Sequence, residues 1–178
     1  MCYSADRFQV AVDTRVDNFI VRDCDSRLTP RDSTTVNDWL VGHPEAAFHC
    51  VRDHPSHSNY AVSGGLWGGR PRQLVDVLAR SSLDFRLTML RYSAAYIADM
   101  HFLCRDVWPK VQSVAYCHDS FSCQRYPSSH AFTVPRVGYE HLGQVYNEYS
   151  VGRGVDIGIL RRAAVNRKCV PDKPATKR

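Results

Sequence analysis

Long hydrophobic runs are missing from this sequence. No stretch approaches the ~20 consecutive apolar residues that a membrane-spanning helix needs, and the first residues contain no apolar signal-peptide core. Internal repeats and low-complexity segments are missing as well. What is present is a chain of 178 residues, 44% of them hydrophobic, which suits one globular domain and excludes wholesale disorder. The compartment stays open.

Paired cysteine motifs are also missing. The sequence has 7 cysteines but no C-x-x-C pair, so the spacings of zinc ribbons and zinc fingers are excluded. A chain of this length does not need disulfides to hold a core. The odd number therefore favours free or partly paired thiols.

A net positive charge is missing outside the C-terminus. Residues 160–178 hold seven of the 23 Lys+Arg and one of the 18 Asp+Glu, so they carry +6 of a net charge of +5, and the remainder carries −1. The body has no basic stripe with interleaved aromatic residues, and the tail alone gives only salt-sensitive, nonspecific attraction. We therefore expect no specific nucleic-acid binding, and a flexible basic tail over residues 161–178.

The hydrophobic pattern predicts strands alternating with helices. Strand patterns cover Val16–Val21, Phe48–Val51 and Val111–Cys117. Helix patterns cover Pro30 to about Gly42 (with Thr29 as N-cap), Pro71–Ala79 and Ala94–Val107, and Arg136–Val145 is expected to hold a further short element. This order predicts an α/β domain over residues 1–160, in which chemistry gathers beyond the carboxyl ends of the strands.

Each predicted strand is followed by acidic or histidine residues. Asp23 and Asp25 follow the first strand at i and i+2, a spacing that turns both carboxylates to the same side. Such a pair can hold Mg²⁺ or Mn²⁺, which take oxygen ligands. The alternative is a loop-stabilising ion network with Arg22 and Arg27.

Two further clusters follow along the chain. His54 and His57, next to Asp53, are candidates for binding a metal or a hydroxyl-rich ligand, or else are solvent-exposed. His118 with Asp119 is a possible third metal ligand with its hydrogen-bonding partner.

The glycine-rich segment 64–68 lacks the Gly-Lys-Ser/Thr ending of a P-loop. Its glycines permit close approach of a ligand, and Trp67 could stack on a sugar or base; the alternative is a tight turn with a core tryptophan.

These residues resemble a family of glycosyltransferase-like proteins whose members carry F-x-R-D-x-D-S-R followed by a helix ending in E/D-W. The resemblance rests on segments that occur in the family's order over about residues 6–150: FIVRDCDSRL at 19–28, VNDWL at 36–40, His49, RDHP at 52–55 with His57, GGLWG at 64–68, DMHFL at 99–103, VWP at 107–109, HDS at 118–120, and Arg136 with HLGQ at 141–144.

The resemblance implies a glycosyltransferase A-type (GT-A, Rossmann-like) fold, with a mixed sheet flanked by helices. It also implies a nucleotide-sugar donor, a glycan or protein acceptor, and Mn²⁺ or Mg²⁺ as cofactor. The implied metal ligands are Asp23, Asp25 and His118, and Asp99 lies near the reacting carbon. The implied substrate-binding residues are Arg22, Asp53, His54, Gly64, Gly65 and Trp67.

Two departures from the family pattern matter. Met100 replaces a glutamine, and a thioether cannot donate the amide's hydrogen bonds. Only 22 residues precede Asp23, whereas a βαβ unit needs ~30. We therefore expect the nucleotide-binding part of a GT-A domain to be absent or truncated, which argues against activity and leaves a truncated, inactive transferase as one interpretation.

Two other functions stay open. A haloacid-dehalogenase-type phosphohydrolase would use Asp23 as nucleophile and Asp25 as general acid/base. Against it, Arg22 stands where an apolar residue is usual, the first lysine is Lys110, and no G-D-x-x-x-D motif follows. The second alternative is a non-catalytic carbohydrate-binding or interaction module.

Overall fold

The chain forms an α/β protein with a five-stranded mixed sheet flanked by helices. The structure is a computed structural model that describes residues 6–81, 83–92, 97–126, 128–163 and 169. The strands are β1 (Phe19–Arg22), β2 (Phe48–Arg52), β3 (Leu66–Gly69), β4 (Ala115–Asp119) and β5 (Ser129–His130), in the spatial order β1-β3-β2-β4-β5. Only β3 runs against the others, so β1, β2 and β4 end at the same edge of the sheet.

The described residues also form six α-helices and several shorter helical turns. The α-helices are α1 (Pro30–Asn37), α2 (Pro71–Arg80), α3 (Phe85–Met89), α4 (Ala98–Phe102), α5 (Trp108–Val111) and α6 (Gly154–Arg162). The turns are 3₁₀ at Asp6–Val12, Pro55–Asn59 and Gln112–Val114, and π-helical at Asp38–Gly42 and Leu103–Val107. In α1, the hydroxyl of Thr29 accepts a hydrogen bond from the Asp32 N–H, which is the predicted N-cap.

Several predicted elements differ from the structure. β1 begins at Phe19 rather than at Val16, and residues 136–145 hold turns but no helix or strand. The helix expected over residues 94–107 begins, within the described residues, at Ala98 and continues through helical turns to residue 114, so β4 starts at Ala115 rather than at Val111. Val111 is fully buried on a helix; a short apolar run does not distinguish helix from strand. The start follows Ile97, whose positive φ of 64° interrupts a helix.

The glycine segment combines a turn and a strand: Gly64 and Gly65 form a turn, and β3 begins at Leu66. β3 pairs with β1 on one side and β2 on the other, and a Cβ at Gly68 would meet the backbone oxygen of Phe19. Glycine therefore permits the close approach of the two backbones here. The interior of β3 also carries Trp67, which is fully buried against Phe8, Phe19 and Phe48.

The two faces of the sheet bury different side chains. Phe48 and Cys50 of β2 face the main hydrophobic core, whereas His49 points to the other face and stacks on Trp39, 5.0 Å between ring centroids. This alternation is the period of an extended strand. Because both faces are covered, β2 is buried along its whole length.

Four of the cysteines form disulfides, which agrees with partly paired thiols. Cys50–Cys117 links paired positions of β2 and β4, and Cys123–Cys169 reaches into the segment that we expected to be a tail. Among the described residues, Cys24 and Cys104 are free. Residues 161 and 162 complete α6, whereas residues 164–168 and 170–178 lie outside the described part. No helix of the described part is long and apolar enough to cross a membrane.

Candidate functional site at the carboxyl edge of the sheet

Four of the predicted site residues meet at the carboxyl end of β1. Arg7 donates to Asp23 Oδ1 at 2.7 Å through one guanidinium nitrogen and to Asp99 Oδ2 at 3.2 Å through the other. The backbone of Gly64 and Gly65, just before β3, lies directly beneath the two carboxylates. Asp23 and Asp99, which are 76 positions apart in the sequence, thus share the guanidinium group of Arg7.

Because Gly64 and Gly65 have no side chains, there is room for the carboxylates of Asp23 and Asp99. A Cβ at Gly65 would overlap the carboxylate of Asp23, and a Cβ at Gly64 would overlap that of Asp99. Any other residue would have to displace one of the acids. The glycine pair therefore accommodates the two carboxylates of the acidic site.

The site is partly exposed. The side chain of Asp23 is 48% exposed, that of Arg7 is 36% exposed and that of Asp99 is 12% exposed. Asp25 is exposed, and its backbone oxygen accepts from Tyr146 N–H at 2.9 Å. Water and solutes can therefore reach the carboxylates of Asp23 and Asp25, which have the oxygen chemistry that Mn²⁺ or Mg²⁺ binds.

His118, proposed as the third ligand of that metal, lies in a different group. Its Nε2 is 2.9 Å from Asp38 Oδ2 and its Nδ1 is 3.2 Å from Nε2 of His49. Burial lowers the pKa of His118 to about 4, against the opposing effect of Asp38. Because both ring nitrogens are engaged, His118 links β4 to β2 and to the π-helical turn that follows α1.

Arg22 and Asp53, proposed to bind substrate, form internal ion pairs. Arg22 makes a bidentate pair with Asp32 at the start of α1, with contacts of 2.8 and 3.1 Å. Asp53 is completely buried and accepts hydrogen bonds from Arg31 and Arg136. A carboxylate between two guanidinium groups is stabilised by charge-assisted hydrogen bonds and has no access to a ligand.

The arginines that the alternative interpretation paired with Asp23 and Asp25 have other partners. Arg27, a candidate partner of Asp23 and Asp25, donates to Ser150 Oγ at 2.6 Å and lies over the ring of Tyr146. Asp23 pairs with Arg7 instead.

His54 and Trp67 complete the set of predicted residues. His54 and His141 are buried and His57 is half-buried beside them, with ring centroids 4.5 to 5.9 Å apart. Neither His54 nor His57 therefore has the full solvent exposure that the alternative expected. Trp67 lies in the hydrophobic core with no exposed surface, as the alternative interpretation had it. It therefore offers no face on which a sugar or base can stack.

Arg7 was not identified from the sequence. It precedes the first strand in a short 3₁₀ helix, and its partners are 16 and 92 positions away. No local pattern marks an arginine that pairs over such distances. An excess of carboxylates at one strand end is the only available signal, and it does not identify which arginine neutralises them.

Comparisons of the chain with protein-family models, with curated proteins and with solved structures found no match.

Proposed function

We propose that this protein is a metal-dependent nucleotide-sugar transferase of GT-A type, with Mn²⁺ or Mg²⁺ as cofactor and a glycan or protein acceptor. The observation that carries the proposal is the convergence of Asp23 and Asp99 on one cation, above a glycine pair shaped to fit them. The proposal also rests on the motif resemblance, which puts a metal at Asp23 and Asp25.

The electrostatics of the site favour a divalent cation. The guanidinium of Arg7 occupies a position between two carboxylates, where a compact cation would find the same oxygen ligands. Asp23, with the exposed Asp25 two residues on, would hold such an ion. When bound, the metal would act as a Lewis acid that neutralises a diphosphate leaving group.

The proposed roles of the protein's own groups are narrower than the sequence suggested. Asp99 would lie near the reacting carbon, and Arg7, once released, has the planar donor set that binds phosphate oxygens. His118, Arg22, Asp53 and Trp67 are left out of the proposed site, because their polar groups or rings are engaged within the fold.

Calorimetry with Mn²⁺ and with UDP and GDP sugars tests this proposal. We expect binding of the nucleotide sugar to require Mn²⁺, and Asp25→Asn to weaken it at least tenfold. Asp76→Asn, a change at an exposed acid of α2, is the matched control and is expected to bind normally. No metal-dependent binding, or the same affinity in Asp25→Asn, would refute the proposal.

One observation favours a second candidate, a non-catalytic carbohydrate-binding module. The ion pairs with Arg7 neutralise Asp23 and Asp99 in the fold as it stands. Glycan binding on an array without hydrolysis of any donor sugar supports this candidate. Turnover of a donor that is lost in Asp99→Asn excludes it.

A further inference from the structure

A second polar cluster lies where β2 ends, apart from the Asp23–Asp99 site. His54 follows β2, His57 lies in the 3₁₀ turn that His54 caps, and His141 comes from the loop after β5. One ligand atom from each of the three imidazoles lies within 4.8 Å of the other two. We propose that these three histidines bind a transition-metal ion of the Zn²⁺ class.

Two nitrogens of this cluster lack partners. Nδ1 of His57 and Nδ1 of His141 are buried and have no hydrogen-bond partner among the described residues. An unsatisfied buried polar atom costs about 1–3 kcal/mol. A metal ion bound by both nitrogens would remove that cost at two atoms, whereas isolated core histidines normally find partners.

Histidine binds metals as the neutral imidazole, because the unprotonated ring nitrogen keeps a lone pair for coordination. Burial of these rings disfavours their charged form.

His54 can join as the third ligand by changing its tautomer. Its Nδ1 accepts from the Ser56 N–H at 3.2 Å, which leaves Nε2–H to donate to the Asp156 carbonyl at 3.1 Å. In the other tautomer, Nδ1–H donates to Ser56 Oγ, 2.6 Å away, and Nε2 gives up its hydrogen bond to the Asp156 carbonyl and has a lone pair for coordination. Ser56 would then orient the ligand, as carbonyl and carboxylate partners do in known zinc sites.

The framework around the cluster is fixed before any metal binds. The Leu142 N–H donates to Asp53 Oδ2 at 3.2 Å, and Arg136 donates to the same carboxylate, so the loop that carries His141 is fastened to the residue preceding His54. In a tetrahedral site with Zn–N of about 2.0 Å, ligand nitrogens are about 3.3 Å apart. The rings need to approach by at most about 1.5 Å, which side-chain rotation supplies.

The donor set predicts which metal is preferred. Three imidazole nitrogens suit Zn²⁺, Co²⁺, Ni²⁺ or Cu²⁺, whereas Mg²⁺ and Mn²⁺ favour oxygen ligands such as those of Asp23 and Asp25. A fourth position would be filled by water. The two sites are therefore distinguishable by metal, and this inference does not depend on the proposed transferase activity.

Titration of the untagged full chain, stripped with a chelator, with Zn²⁺ and Co²⁺ tests the site. We expect one equivalent of Zn²⁺ to bind and to raise the melting temperature by several degrees. Bound Co²⁺ should show visible bands of a four-coordinate nitrogen and oxygen site without a thiolate charge-transfer band, which separates this site from Cys24 and Cys104. Binding of less than one equivalent, or a thiolate band, would overturn the proposal.

Variants localise the binding. His57→Gln and His141→Gln should each lower the Zn²⁺ affinity at least 100-fold, whereas His101→Gln on α4 and Asp25→Asn should leave it unchanged. Circular dichroism of each metal-free variant verifies that it is folded, and the Co²⁺ spectrum of the unmodified chain tests the site without any variant. Equal affinity in all four variants would overturn the proposal.

Discussion

The first two strands both end in an arginine followed by an aspartate, and the two pairs have opposite surroundings. After β1, Asp23 is 48% exposed and its described ion-pair partner is Arg7. After β2, Asp53 is fully buried and its carboxylate is paired with both Arg31 and Arg136.

Position in the sheet explains this difference. β1 is an edge strand with β3 as its one neighbour, whereas β2 lies between β3 and β4 and is buried on both faces. A carboxylate at the end of a central strand is covered, so it needs internal donors to offset its desolvation. At the edge, water supplies them, and the carboxylate stays available to a ligand. Only the edge pair is therefore suited to binding chemistry.

The largest predicted effect comes from removing one charge from each pair. Asp53→Asn leaves two guanidinium groups facing a neutral amide, and we expect it to lower the free energy of unfolding by about 3–5 kcal/mol. Asp23→Asn breaks a partly exposed pair, and its effect should stay below about 1 kcal/mol. Urea denaturation followed by circular dichroism measures both changes. Equal losses would mean that the carboxylate of Asp53 is not held as the structure has it.

A smaller effect on stability is expected from alanine at two glycines, Gly68 inside β3 and Gly65 just before it. In Gly68→Ala the new methyl group meets backbone of β1, which cannot move without disturbing the sheet, and we expect a loss of about 1–3 kcal/mol. In Gly65→Ala the methyl group meets a side-chain carboxylate that can rotate away, so stability should change by less than about 1 kcal/mol.

The same pair of variants should separate stability from metal binding. Gly65→Ala displaces the carboxylate of Asp23 and should weaken Mn²⁺ binding at least tenfold, and Gly68→Ala should keep the affinity once folded. Calorimetry with Mn²⁺ measures this. Unchanged Mn²⁺ affinity in Gly65→Ala would show that the position of Asp23 does not matter for the ion.

Much of the framework could be predicted from the sequence. The cap at Thr29, the helix after Pro71 and the polar residues that follow β1 and β2 are set by residues close together in the chain. Local propensity and hydrophobic period suffice for such features. The collection of polar segments at one edge then follows from the direction of β1, β2 and β4.

Whether a given site residue is exposed to ligands or paired inside the fold could not be predicted in the same way. Arg22-Asp23 and Arg52-Asp53 have the same local sequence, and strand order decides which aspartate is exposed. β3 was missed because Leu66–Gly69 is half glycine, and its pairing is set by the approach of β1 and β2. These properties depend on contacts between distant residues, which a local pattern does not contain.

Acid should weaken the centre of the sheet more than its edge. His49 and His118 are buried side by side, and burial lowers the pKa of each, that of His118 to about 4. Between about pH 6.5 and pH 4 the unfolded chain therefore binds more protons than the folded one, so stability falls as the pH falls through this window. The loss is at most about 1.4 kcal/mol per pH unit for each histidine.

Urea denaturation at several pH values measures this slope. His118→Gln should make the slope shallower between pH 6.5 and pH 4, by at most about 1.4 kcal/mol per pH unit. The slope does not vanish, because His49, His57 and His141 also have pKa values lowered by burial. His101→Gln, outside these buried rings, should leave the slope as it is. A slope that is identical in the two variants would argue that His118 is not kept neutral by burial.

The smallest effect on stability, and the sharpest test of the edge site, comes from Arg7. Its ion pairs with Asp23 and Asp99 are accessible to water, so Arg7→Gln should change the free energy of unfolding by less than about 1 kcal/mol. The same change removes a competing positive charge from between two carboxylates. We therefore expect Mn²⁺ to bind several-fold more tightly, as measured by calorimetry.

Arg15→Gln is the matched control, because Arg15 makes a bidentate pair with Asp13 away from the sheet edge and should not affect Mn²⁺ affinity. Weaker or unchanged Mn²⁺ binding in Arg7→Gln would show that the guanidinium does not occupy the position of the cation. Tighter Mn²⁺ binding combined with weaker nucleotide-sugar binding would assign Arg7 to the diphosphate. In that case Arg7 would help to bind the ligand, whereas Arg31 and Arg136, whose side chains are largely buried, pair with Asp53 and maintain the fold.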